Sequence, residues 1–145
     1  MSDIIHIDDS RVALNKVQTA FKHTGHKVHS AANWSECRGF LQTIQPELFI
    51  VDLIFPGFRG GEELAQTLKK RYPDVPIVLY SGQSMRKLKK VAEETKVDNF
   101  VFKTTSMGRL IKTVCGYLPD PKEIAKEQAA ARKAEREAQK NKASS

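Results

Sequence analysis

Cysteine is scarce in this chain, tryptophan occurs once, and no apolar run is long enough to span a bilayer. Cys37 and Cys115 lie far apart and outside any metal-ligand spacing, which excludes a disulfide-stapled scaffold and a cysteine zinc site. Two reduced thiols in a reducing cytoplasm are expected. Asp3, Asp8 and Asp9 interrupt the apolar stretch that a signal peptide would need. Acidic excess is also missing: 24 Lys and Arg face 17 Asp and Glu, a net charge of +7. That balance suits acidic partners, nucleic acid or a membrane surface without selecting among them. What is present is ordinary for a globular protein. The 145 residues are 40% hydrophobic and 28% charged, enough for one domain with its own core and an extension.

Apolar runs alternate with helical patterns along the chain. The runs fall at residues 4–7, 27–32, 48–51, 77–80 and 99–102, short and mostly rich in Ile, Val, Phe or Tyr. Helical spacing of apolar residues fills 11–23, 34–44, 61–71 and 85–95. A fifth helix carries Met107, Leu110, Ile111, Val114, Cys115 and Leu118 on one face. Five strand–helix units predict an α/β fold with a doubly wound, five-stranded parallel sheet and five helices. The favoured strand order is 2-1-3-4-5, the flavodoxin-like arrangement, with sites at the carboxyl ends of the strands. Residues 1–118 form the expected domain. From residue 119 the composition shifts to Ala, Lys, Glu, Arg and Gln, with Ile124 the one large aliphatic. Residues 119–145 hold seven basic and five acidic side chains, so this tail carries +2 and the remainder +5. It reads as a solvated, partly helical or disordered extension rather than a docking helix.

The strand ends carry the chemistry. The first delivers Asp8 and Asp9, the third Asp52, the fourth Ser81 and Gly82, and the fifth Lys103; the second ends in Ala31, Ala32 and Asn33. In the predicted order, strands 1, 3, 4 and 5 are neighbours. Three carboxylates held together repel one another in a partly desolvated site. Mg²⁺ would relieve that, using one or two carboxylates, a backbone carbonyl and several waters. Asp52 could then act as a nucleophile toward phosphorus, with Lys103 and Ser81 facing phosphoryl oxygens. Each residue alone has a plainer reading: a solvated loop acid, a helix cap in the case of Asp8, a core aromatic in the case of Phe100. His6, His23, His26 and His29 show no ligand spacing and read as structural or solvent-facing.

This pattern resembles the response-regulator receiver domain over about residues 2–118. In FIVDLIFPGFRGG, Asp52 stands at the phosphoacceptor position, followed at the family's spacing by Pro56 and Gly60. Asp8-Asp9 match the metal-site acids, Ser81 the switch hydroxyl, Phe100 the switch aromatic and Lys103 the invariant lysine. PELFIVDL and PDVPIVLYSG look like the lead-ins to the family's third and fourth strands. The resemblance implies Mg²⁺ held by Asp9, Asp52 and the Ile54 carbonyl, with Asp8 acting through water or Lys103. It implies phosphoryl transfer to Asp52 from a histidine kinase or phosphotransfer protein. Ser81 and Phe100 would then shift the face of helix 4, strand 5 and helix 5 toward a downstream protein target. Such a domain catalyses only its own phosphotransfer and dephosphorylation.

Three departures stand out. The family usually has proline after the lysine, joined by a cis peptide, whereas this chain has Thr104. A cis bond to a non-proline residue costs roughly 2.5–4 kcal/mol. Either the loop is trans and Lys103 is aimed differently, or local contacts hold the strain. Arg59 replaces a frequent Asp, and Phe55 a frequent Met. Helix 4 carries Arg86, Lys87, Lys89 and Lys90, with Lys96, Arg109 and Lys112 nearby. This is either an ordinary solvated face or a docking surface for an acidic partner. Competing readings are a phosphorylation-independent scaffold or localisation module, a nucleic-acid binder, and a phosphatase that would lack the second acid where Ile54 sits. No helix-turn-helix pattern is evident, nucleic acid is not expected, and a monomer is the default.

Overall fold

A computed structural model describes residues 2–54, 60–119 and 129–138. Strands and helices alternate as β1 (Asp3–Ile7), α1 (Arg11–Phe21), β2 (Lys27–Ala31), α2 (Trp34–Thr43) and β3 (Leu48–Val51). They continue as α3 (Gly60–Arg71), β4 (Ile77–Ser81), α4 (Met85–Thr95), β5 (Asn99–Phe102) and α5 (Met107–Cys115). The five strands form one parallel sheet in the order β2-β1-β3-β4-β5, as predicted. Residues 129–138 add a sixth helix, α6, where five were expected; every residue in it is exposed. It lies in the Ala- and Glu-rich tail, whose high helix propensity explains it without any packing.

Helix starts obey local chemistry. Ser10, Asn33, Ser84 and Ser106 cap α1, α2, α4 and α5, each accepting from a backbone N–H three residues on. Helix α3 opens differently, on Gly60 and Gly61. Gly60 has a φ of 75°, and a Cβ on Gly61 would collide with the Asp52 carbonyl. The glycines therefore let α3 begin directly against the end of β3. Pro56, Phe55 and Arg59 lie outside the described residues.

Strand alternation divides the core in two. One half packs Ile5, Ile7, Phe49, Val51, Ile77 and Leu79 against α2, α3 and α4. The other packs Ile4, Ile50, Val78 and Val101 against α1 and α5. Among the described residues the strands of the first half are apolar except at their margins, where Asp3 pairs with His29 against Phe40 and Ser81 ends β4. The second takes in His6 and Tyr80, both buried, near the carboxyl edge.

Candidate functional site

Ladder hydrogen bonds run past the ends of the strands and fix the residues just beyond them. Asp8 donates its N–H to the Ala31 carbonyl, Asp52 to the Ile7 carbonyl and Lys103 to the Ser81 carbonyl. Alternation then sends Asp8, Asp52 and Lys103 to the α1/α5 side of the sheet, after Ile4 and His6, Ile50 and Val101 respectively. Ser81 and Phe100 continue the opposite side, after Ile77 and Leu79 in the case of Ser81. The predicted residues thus meet at one edge but approach it from two faces.

Lys103 is the centre of the cluster. Its Nζ lies 2.6 Å from Asp8 Oδ2 and 3.2 Å from Asp52 Oδ2. Asp8 is fully buried, Asp52 nearly so, and Asp9 is exposed. Asp8 Oδ1 accepts from the Ser10 N–H at 2.9 Å, and Asp52 Oδ1 from the Ile54 N–H at 3.3 Å. Asp8 therefore does not cap α1; Ser10 does. The Ile54 side chain is exposed, so what this residue turns toward the site is its backbone.

The electrostatics separate the two buried acids. Burial pushes the Asp8 carboxyl up, but His6, the Lys103 ammonium and the Ser10 N–H outweigh it and hold it below the ordinary range. Burial and the charge on Asp8 push Asp52 up, and Lys103 and the Ile54 N–H offset this only in part. Burial alone would lower the Lys103 ammonium; Asp8 and Asp52 reverse that and raise it, so it stays charged. Among the described residues Lys103 thus stands as one cation against three acids, and Asp52 carries the less compensated of the two buried charges.

That imbalance fits a hard divalent cation. Ligand oxygens of Asp8, Asp9 and Asp52 all lie within 4.8 Å of one another. Asp9 opens the group to water, as a cation that keeps part of its hydration shell requires. Ser81 is buried beside the site, its Oγ accepting from the Gln83 N–H at 3.4 Å, and Gly82 leaves open space next to it. Phe100 is partly buried and meets Phe102 edge to face at 6.1 Å.

The Lys103–Thr104 peptide is trans, since no described peptide is cis. Of the two alternatives left by the sequence the loop takes the trans one, and Lys103 still reaches both carboxylates. Two residues beneath the site went unrecognised in the sequence. His6 was expected to be structural or solvent-facing; it is fully buried, with Nε2 3.8 Å from Asp8 Oδ2, beyond hydrogen-bond range. Tyr80 is buried with its ring 5.9 Å below the Lys103 ammonium and 6.3 Å from the His6 ring. The available signal was a polar residue inside the apolar run IIHI. Of the other histidines, His26 is buried, His29 pairs with Asp3 at 2.9 Å and His23 is exposed.

Arg86, Lys87, Lys89, Lys90, Lys96, Arg109 and Lys112 are all exposed. Among the described residues no helix is long and apolar enough to cross a membrane.

The family described as "Response regulator receiver domain" matches residues 4–115. Among solved structures, the Vibrio cholerae chemotaxis protein CheY4 is 21% identical with a TM-score of 0.73, covering 81% of this chain and 99% of that one. A CheY-like receiver domain protein from Methanospirillum hungatei is 19% identical with a TM-score of 0.70, covering 90% and 98%. The Thermotoga maritima response regulator DrrB is 22% identical with a TM-score of 0.71, and the match covers 81% of this chain but 52% of DrrB. This chain therefore spans about half the length of that regulator. At these identities the structural likeness shows the fold. The family match extends over most of the chain and over every strand end that carries the cluster, and on that ground the chain belongs to the response regulator receiver domains of two-component signalling.

Proposed function

We propose that Asp52 accepts a phosphoryl group from a phosphohistidine on a histidine kinase or phosphotransfer protein. An Asp52 carboxylate oxygen attacks phosphorus in line, the phosphorus–nitrogen bond breaks, and the imidazole leaves with a proton. The observation that carries this reading is Lys103, 2.6 Å from Asp8 and 3.2 Å from Asp52. It places a permanent cation where phosphoryl oxygens would gather beside Asp52. Asp9, Asp52 and the Ile54 carbonyl would hold Mg²⁺, with Asp8 acting through water or Lys103. When bound, that ion would offset the carboxylate charge and help orient the phosphoryl group.

Ser81 then donates its hydroxyl to a phosphoryl oxygen, and Phe100 moves inward behind it. Both sit on the α3/α4 side of the sheet, so their motion favours a second packing of α4, β5 and α5. The exposed cations on α4 and α5 suit an acidic protein target there. Residues 1–118 form the switching unit and 119–145 a charged tail, in a cytoplasmic, monomeric protein. No chemistry beyond its own phosphorylation and dephosphorylation is assigned to it.

Mass spectrometry after incubation with Mg²⁺ and acetyl phosphate tests the reading. A labile phosphoryl adduct is expected, absent in Asp52→Asn. No adduct, together with no Mg²⁺ binding, would overturn it in favour of a phosphorylation-independent scaffold.

A further inference from the structure

Lys103 is placed without help from a proline after it, so something else must aim its ammonium. Its backbone is tied to β4 through the hydrogen bond to the Ser81 carbonyl, 2.9 Å long. Thr104 is exposed. The side chain is only 24% exposed, and Tyr80 lies under it.

Tyr80 is 5% exposed, held in the core half formed with Leu110 and Val114 of α5 and Val17 and Phe21 of α1. The ammonium stands over its ring at 5.9 Å from the centroid, within the range of a cation–π contact. The same ring forms part of the wall of a cleft of about 380 Å³ with Ser10, Lys16, Lys103, Thr105 and Met107. Lys103 lines that cleft too, so open space lies beside its ammonium as an alternative to Asp8. Tyr80 rewards the inward position electrostatically, through the face of its ring. Its phenol stays neutral because burial raises it, so the ring offers a π face and no competing anion.

We infer that Tyr80 is a positioning residue for Lys103, and that its aromatic ring, rather than its hydroxyl, aims the ammonium at Asp8 and Asp52. This rests on the proposed phosphoacceptor role of Asp52 for its consequence in rate, but not for the contact itself. The ring replaces, on this trans loop, a positioning contribution that backbone geometry at the following residue does not make.

The test is a double-mutant cycle on the full chain, using the rate of phosphorylation by acetyl phosphate with Mg²⁺. Tyr80→Leu is expected to slow phosphorylation about fivefold, the size of a partly desolvated cation–π contact. Tyr80→Phe restores most of that loss. In a Lys103→Met background Tyr80→Leu has no further effect on rate. An equal loss in both backgrounds would mean a merely structural role and would overturn the inference, as would a Phe variant as slow as Leu. A second readout needs no phosphorylation: the nuclear Overhauser contact between the Lys103 Cε protons and the Asp8 Cβ protons. It should persist in Tyr80→Phe and vanish in Tyr80→Leu. Its persistence in the Leu variant overturns the inference. Failure of the wild-type protein to be phosphorylated, with these spectra as expected, overturns the proposed function and leaves the positioning role standing.

Discussion

The two halves of the core flank one sheet and are built on different terms. Against α2, α3 and α4 the strands present Ile5, Ile7, Phe49, Val51, Ile77 and Leu79, with the Asp3–His29 pair at the amino edge and Ser81 at the carboxyl edge. Against α1 and α5 the apolar layer gives way one step earlier, to His6 and Tyr80, and then to Asp8, Asp52 and Lys103. The chemistry therefore rises from one face and the residues that would relay it from the other. A β-sheet makes this separation by alternation alone, since neighbouring positions on a strand point to opposite sides. Apolar packing and buried charge thus concentrate on opposite faces, and each can be perturbed without the other.

The largest effect should come from the apolar side. Leu79 is fully buried there, and Leu79→Ala leaves a cavity that should cost about 2–5 kcal/mol in urea unfolding. The loss should be the same at pH 6 and pH 8, because Leu79 packs in a cluster of mainly apolar side chains and takes part in no ion pair. Asp8→Asn acts on the other side. It removes the 2.6 Å partner of Lys103 and one acid of the cluster, and Mg²⁺ affinity should fall about tenfold or more, read by fluorescence or calorimetry. A variant that binds Mg²⁺ as well as the wild type would show that Asp8 serves Lys103 alone.

The pH dependence separates the two faces further. His6 is buried and neutral, its folded value lying below the ordinary 6.5 because burial outweighs the nearby Asp8. The unfolded chain takes up a proton at 6.5 that the folded chain refuses. Its contribution to stability is thus fully present above 6.5 and is lost as pH falls below it, by up to about 1.4 kcal/mol per pH unit for one proton. Asp52 acts in the opposite sense, since its raised folded value lets the folded chain keep a proton that the unfolded chain releases. The difference between wild type and His6→Leu cancels that term. It should grow as pH is lowered from 6.5 to 5.5, and a constant difference would show that folding leaves the proton affinity of His6 unchanged.

Much of this organisation was legible in the sequence, for physical reasons. A parallel sheet buried on both faces writes each strand as a continuous apolar run, so 48–51 and 99–102 were located to the residue. The carboxyl ends of those runs are where side chains leave the core, so Asp8, Asp52, Ser81 and Lys103 stood out together. His6 and Tyr80 did not. A polar or amphipathic residue inside an apolar run changes neither its length nor its composition enough to show which face it takes. That face decides everything about them: one position along, the same rings would lie among Leu64, Leu68 and Leu88, away from Lys103. The aim of Lys103 was equally illegible, because the sequence after it removes the usual proline without saying what stands in its place.

The smallest effect concerns an acid that the site logic should leave out. Asp98 lies just before β5, at the opposite end of the sheet from Lys103, and its Oδ2 accepts from the Ile77 N–H at 2.8 Å and from Lys69 Nζ at 3.2 Å. Here a carboxylate at a strand end has its partners: a backbone donor that starts β4, and a partly exposed ammonium from α3. Lys69→Ala removes only the second. The pair is solvent-screened, so stability should fall by less than about 1 kcal/mol, and less still in high salt. Phosphorylation by acetyl phosphate should be unchanged. Asp98→Ala should cost more, about 1–3 kcal/mol, because the Ile77 N–H is part-buried and loses its acceptor. If Lys69→Ala instead matched Asp98→Ala, the ammonium rather than the amide would be what Asp98 is there to hold. The distinction between acids satisfied by the fold and acids left in surplus would then fail at the end of the sheet where it should be clearest.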